Sequence, residues 1–191
     1  MLVAQYLARQ LAEWGVKRIY GVAGDGIFAW LDSLGKQSEL QYIACKHESA
    51  AAMMASAEAK LTGKPAICTA TMGPGFVNLL NGLADAHTDR VPVIAITGQV
   101  ETAKLGGGYK QYVAQEDMIR PISCYQATVT HPDAVGEVLH RAFVSAAQQK
   151  DVAHLSICKN VFAEKTKAAI LPSLPRIPRV LGDRVEIESA A

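Results

Sequence analysis

Glu48 stands in the run Lys46-His47-Glu48-Ser49-Ala50-Ala51, where a short apolar stretch gives way to small residues. A carboxylate at such a junction can share a proton with a ligand in a crevice. Further along, Thr71-Met72 leads into Gly73-Pro74-Gly75, a loop that leaves its backbone largely bare. An earlier turn, Gly24-Asp25-Gly26, offers exposed backbone beside a second carboxylate. One acid facing exposed peptide groups suits recognition of a polar heterocycle, because backbone N–H and C=O groups are fixed donors and acceptors. Each feature also has a plain structural explanation. Glu48 can serve the positive end of a helix, His47 can cap it, and Gly73-Pro74-Gly75 can be a tight turn.

The elements that position these residues follow from periodicity. Val3, Leu7, Leu11 and Trp14 predict a helix from Leu2 to Trp14, stopped by Gly15. Arg18 to Val22 reads as a buried strand, and Phe28, Leu31 and Leu34 mark the following helix. Gln41 to Cys45 is a strand ending beside Glu48, with a helix over Ser49 to Leu61. Ala66 to Thr71 is a strand that empties into the Gly73 loop, and a helix follows over about Val77 to His87. Pro92 to Thr97 is another apolar strand. Gln99 to Tyr112, with Gly106-Gly107-Gly108 inside it, reads as an irregular stretch of the kind that is often functional. A strand at Tyr125 to Val129, a helix over Pro132 to Gln149 capped by Thr130 and Asp133, and a strand at His154 to Ile157 complete the pattern. Wholly apolar strands alternating with helices predict an α/β three-layer sandwich whose mainly parallel sheet, of roughly six strands, is covered by helices on both faces. In such sheets ligands bind outside the carboxyl ends of the strands, where Glu48, Gly24, Gly73 and Gly98 all fall.

Composition removes several classes. The 191 residues carry a formal net charge of +1, with Lys and Arg scattered, so no footprint for nucleic acid or a membrane surface is present. No apolar run is long enough to span a bilayer, and the chain opens on an amphipathic pattern without a leader, so a cytoplasmic location is expected. Cys45, Cys68, Cys124 and Cys158 are spaced as buried free thiols, and Cys45 with His47 lacks a second pair for zinc. Gly21-x-x-Gly24-x-Gly26 has the wrong order of glycines for a dinucleotide fingerprint. Asp25 lacks a downstream ligand to complete a magnesium shell, so a turn at the mouth of a crevice is expected there.

Taken together, Trp14 to Val22, Lys46-His47-Glu48, Ala57 to Lys64 and Gly73-Pro74-Gly75 resemble the N-terminal pyrimidine-binding domain of thiamine-diphosphate-dependent enzymes. Asn81 to Ala86, Val91-Pro92-Val93, Ile96-Thr97-Gly98 and His154 to Ile157 extend the resemblance over about residues 2–165. It is closest to pyruvate oxidases and quinone-linked pyruvate dehydrogenases, with acetolactate synthases nearby. The resemblance implies that Glu48 hydrogen-bonds N1′ of the aminopyrimidine and promotes its imino tautomer, which takes the thiazolium C2 proton. Decarboxylation of a 2-oxo acid, most simply pyruvate, follows, with oxidation to acetate or acetyl phosphate.

It also implies that Gly73, Pro74 and Gly75, with Thr71 and Asn78, line the pyrimidine pocket. Gly24, Asp25 and Gly26 would approach the reactive end, and Gln111 would lie near the substrate. Three positions depart from the pyruvate oxidases: Lys110-Gln111-Tyr112 replaces Phe-Gln-Glu, Asn78 replaces His as in acetolactate synthases, and Ala23 replaces Pro.

The same resemblance places the diphosphate and Mg²⁺ on a separate domain of a second subunit, and FAD on a middle domain. A homodimer or dimer of dimers is expected, with membrane contact only in a quinone-linked enzyme and not through this segment. The expected organisation is a pyrimidine-binding domain over 1–165 and a Pro-rich linker over 166–191, punctuated by Pro172, Pro175 and Pro178. The chain then reads as the first domain of a longer enzyme, inert alone. A subunit of a split decarboxylase, an acetolactate synthase-like carboligase and a non-catalytic module of the same fold are the alternatives.

Overall fold

Strands apolar along their whole length must be covered on both faces, and the computed structural model, which describes residues 1–174, covers the inner strands so and leaves the two edge strands partly exposed. β1 (Arg18–Gly21), β2 (Gln41–Ala44), β3 (Ala66–Ala70), β4 (Val93–Gln99), β5 (Tyr125–Val129) and β6 (Val152–Cys158) form one sheet in the order β2-β1-β3-β4-β6-β5. Every pairing is parallel. Along β4 the side chains alternate between two cores. Ile94 and Ile96 pack with α1 (Val3–Glu13), α2 (Phe28–Gly35) and α6 (Val135–Gln149). Val93 and Ala95 pack with α3 (Glu48–Thr62), α4 (Pro74–Thr88) and Ile119 of α5 (Gln115–Ile119). The three-layer sandwich expected from the sequence is therefore the fold.

α3 buries a face of small residues, Ala51, Ala52, Ala55, Ser56 and Ala59. Small side chains let α4 come close, and Gly82 lies against Ala52. The C-terminus of α3 is closed by Gly63 at φ 67, whose N–H returns to Ala59 O. This stop sets where α3 ends, one end of the helix whose first residue, Glu48, emerges at the sheet edge.

Several boundaries differ from expectation. Glu48 is the first residue of its helix rather than its forerunner, and α4 starts at Pro74 instead of Val77. The short helix α5 has no signal of its own, because five residues are too few to show a helical period. The turn before α6 is capped by His131, whose Nδ1 accepts from Asp133 N at 3.2 Å, and not by Thr130. Cys68 and Cys158 are buried, whereas Cys45 and Cys124 are only partly so; all are free thiols.

Residues 166–171, within the stretch read as linker, lie against the sandwich. Thr166 N donates to Met1 O, Lys167 N to Asp133 Oδ1, and Leu171 N to Oε1 of the fully buried Gln10. Pro175, Pro178 and the rest of the expected linker to residue 191 lie outside the described residues, which end at Leu174.

Candidate functional site

Glu48 reaches the carboxyl edge of the sheet because β2 ends at Ala44 and α3 begins after a side-chain cap. His47 has extended backbone, and its Nδ1 accepts from Ser49 N at 3.2 Å. That cap explains His47 without a catalytic role. Glu48 itself is only 9% exposed. Asn78, one turn into α4, donates from Nδ2 to Glu48 Oε2 at 3.0 Å. Oε1 faces backbone instead, and a Cβ added at Gly75 would come within 3.3 Å of it. On the β2 side, Tyr42 is held neutral. Burial first, then the nearby Cys45 and Glu48, push its phenol up to about 12.

Thr71 ties the loops together. Its Oγ1 accepts from Gly26 N at 3.0 Å, while its methyl fills the space beside Gly24 and Gly75. Gly73 has φ 60 and ψ −114, a conformation open only to glycine, and a Cβ there would lie 2.4 Å from Gln111 O. Pro74 takes the first helical position, where no N–H is needed. Gln111 also has a left-handed backbone, at φ 66. Its carbonyl, rather than its amide side chain, is what meets Gly73.

A cleft of about 360 Å³ opens on the other side of this loop, lined by Asp25, Met72, Val100, Glu101, Lys104, Tyr109, Lys110, Gln111 and Lys159. Asp25 is not buried. Lys159 Nζ meets its Oδ2 at 2.7 Å and its Oδ1 at 2.8 Å. Lys104 pairs with Glu101 at 2.8 Å and sits 4.4 Å above the Tyr109 ring. Lys104 is the main cause, with help from Lys159, that holds the Glu101 carboxyl below its ordinary range. A hollow of similar size, about 340 Å³, lies between α1, α6 and residues 168–171 and contains none of the expected site residues.

Beneath the cleft runs a buried polar chain. Gln115 Nε2 donates to Gly98 O at 2.9 Å, which leaves its Oε1 to accept from Thr97 Oγ1 at 2.7 Å. Thr97 has then spent its proton, so His154 Nε2 must donate to it across 2.8 Å. His154 Nδ1 is therefore bare, and it is buried without a partner. Full burial pushes the His154 imidazole down to about 3. Gly98, anchored by this chain, backs directly onto Gly26.

The expected residues thus fall into two adjoining groups. Glu48, Thr71, Gly75 and Asn78 converge at one side of the Gly73-Pro74 corner, and Asp25 and Gln111 line the cleft on the other. Gly24 and Gly26 pack on Thr71 between them. The sequence reading names Lys110 only as a departure from the pyruvate oxidases, and it passes over Lys159, Lys104 and the Thr97–Gln115–His154 chain. Lys159 follows β6 directly, so its place at a strand's carboxyl end was the available signal. Thr97 and His154 were polar residues inside largely apolar strands, which is a signal for a buried network.

A parallel α/β sandwich with an acid and side-chain-free loops at its carboxyl edge defines a domain that binds a ligand at strand ends. Residues 1–119 match the family "Thiamine pyrophosphate enzyme, N-terminal TPP binding domain", and the chain belongs to that family. In Bacillus subtilis (strain 168) the protein named "Putative thiamine pyrophosphate-containing protein YdaP" is 40% identical over 164 residues, 85% of this chain and 29% of that protein. Pyruvate oxidase of Lactiplantibacillus plantarum is 34% identical over 148 residues, 75% of this chain and 24% of the oxidase. Acetolactate synthase isozyme 1 large subunit of Escherichia coli is 34% identical over 140 residues, 73% of this chain and 25% of the synthase. The chain spans about a quarter of the length of these relatives. No helix among the described residues is long and apolar enough to cross a membrane.

Proposed function

We propose that this chain activates thiamine diphosphate in an enzyme that decarboxylates a 2-oxo acid, pyruvate in the first instance, and oxidises the product to acetate or acetyl phosphate. The observation that carries the reading is the division of labour on Glu48. Asn78 orients the carboxyl group through Oε2, and Oε1 is turned to the backbone at Gly75. The residues fit the cofactor's pyrimidine end, since a side chain at position 75 would fill the space in front of that oxygen.

Thiamine diphosphate, when bound, supplies a carbon nucleophile and an electron sink for cleavage beside the 2-oxo acid's carbonyl. Glu48 would share a proton with the aminopyrimidine ring nitrogen. Asn78 fixes the direction of that proton, and burial keeps competing water away. The Gly73-Pro74-Gly75 backbone leaves room for a flat ring, and Thr71 holds Gly24 and Gly26 back from it. Gln111 and Asp25 belong to the substrate side.

The diphosphate with its Mg²⁺ would be held by a separate domain of a second subunit, and FAD by a further domain. Met53, Met54 and Leu61 on α3 and Val77 on α4 are exposed, which supports association of two copies through these helices. Carboligation of the acetolactate synthase kind is the second reading, favoured by Asn78 where pyruvate oxidases carry His. Calorimetry with thiamine diphosphate, with and without a diphosphate-binding domain, tests the cofactor assignment: binding is expected only with both domains present. Heat absent from both titrations would leave a non-catalytic module. Product analysis with pyruvate separates acetate or acetyl phosphate from acetolactate.

A further inference from the structure

The cleft beside the Gly73 loop carries more positive charge than its own carboxylates consume. Three ammonium groups line it, those of Lys104, Lys110 and Lys159, against the carboxylates of Asp25 and Glu101. Lys159 holds both oxygens of Asp25, and Lys104 holds Glu101. Lys110 has no carboxylate within ion-pair reach among the described residues, so the cleft keeps one uncompensated positive charge. Lys110 is also next to Gln111, whose backbone is locked against Gly73, so its origin at the cleft rim is fixed relative to the loop that faces Glu48. The other two lysines are held in place by their partners, and they add to the local field without giving up their ion pairs. A volume of about 360 Å³ holds a small organic acid.

We propose that Lys110 is the specificity-determining residue of a monoanion subsite that takes the carboxylate of the 2-oxo acid. The subsite deepens the proposed function and rests on it for the identity of the acid. One residual charge matches one carboxylate. A substrate with a second acid group would find no second uncompensated cation to meet it, so the cleft selects monocarboxylic 2-oxo acids over dicarboxylic ones.

The test is a titration of this chain followed by backbone amide NMR at constant ionic strength, with pyruvate, methyl pyruvate and inorganic phosphate as separate probes. Pyruvate is expected to shift Met72, Lys110, Gln111 and Lys159 saturably, and methyl pyruvate is expected to leave them in place. Lys110→Glu should weaken pyruvate binding by about tenfold or more, and Lys110→Arg should stay within about threefold of the wild type. Equal responses to pyruvate and its ester, or wild-type affinity in Lys110→Glu, would overturn the subsite. Tighter binding of phosphate than of pyruvate would overturn its assignment to a carboxylate. A parallel titration with thiamine diphosphate in the presence of a diphosphate-binding domain, read at Glu48, Gly75 and Asn78, keeps the two claims apart. A response there without one to pyruvate removes only the subsite. A pyruvate response without one to the cofactor removes the proposed function and leaves an anion site.

Discussion

Asn78 Nδ2 donates to Glu48 Oε2 across 3.0 Å, and this contact joins the first turn of α4 to the first residue of α3. It decides which carboxyl oxygen faces Gly75. Asn78→Ala removes the donor and leaves a carboxyl oxygen without its partner at a site only 9% exposed. The expected cost is about 1–3 kcal/mol of stability, measured by denaturant unfolding. Asn78→His, which restores a ring N–H donor, should recover part of it. A loss no larger than that of an exposed asparagine would contradict the contact.

Gly73 is constrained twice, by a backbone that only glycine adopts and by Gln111 O at 2.4 Å from a Cβ at that position. Gly73→Ala should cost more than the roughly 1 kcal/mol of an ordinary Gly→Ala change at positive φ, on the order of 2–4 kcal/mol. Gly107 is the control, since its φ is not left-handed and its nearest outside atom is 3.4 Å away. Thermal melting of the two variants makes the comparison, with a clear drop expected for Gly73→Ala alone.

His154 ties stability to pH. Its folded pKa, about 3, lies below the ordinary value of 6.5, so the unfolded state takes up a proton first. The stabilisation is complete above about pH 6.5 and is lost as pH falls toward 3, at up to roughly 1.4 kcal/mol per pH unit. His154→Gln lacks the titrating ring. Unfolding free energies of the two proteins between pH 4 and 8, on the order of that whole window, should diverge in slope below about 6. Parallel curves would contradict the buried neutral ring.

Gln10 reads both backbone groups of Leu171, with Nε2 to the carbonyl at 3.0 Å and Oε1 from the amide at 2.8 Å. A side-chain amide here does the work of a neighbouring strand, and it pins residues 166–171 to α1. Gln10→Leu should raise amide exchange at Leu171 by about tenfold or more, because a part-exposed hydrogen bond worth about 1 kcal/mol or more is lost. Unchanged exchange would mean the strap is held by its apolar contacts, Ala168 and Ile170.

The sheet was legible because continuous apolar runs such as Ile94-Ala95-Ile96 leave no solvent face, and their alternation with helices allows few topologies. Glu48 was legible because it stands just past the end of the strand Gln41 to Cys45, after Lys46 and His47. Gln111 was found by resemblance alone, and the sequence could not show that its backbone carbonyl, rather than its amide group, meets Gly73. The Lys159–Asp25 pair spans 134 positions, and long-range ion pairs between exposed groups leave no periodic trace. His131 took the cap expected of Thr130 because Pro132 fixes the first turn one residue later, which puts the imidazole within reach of Asp133 N.

The central claim is that Glu48 moves a proton on the cofactor's pyrimidine. Deuterium exchange at C2 of thiamine diphosphate, measured in the holoenzyme that carries this chain, tests it before any substrate is added. Glu48→Gln keeps the shape and the Asn78 neighbour but removes the acid. The exchange rate should fall by about two to four orders of magnitude, with cofactor still bound. An exchange rate equal to that of the wild type would contradict it.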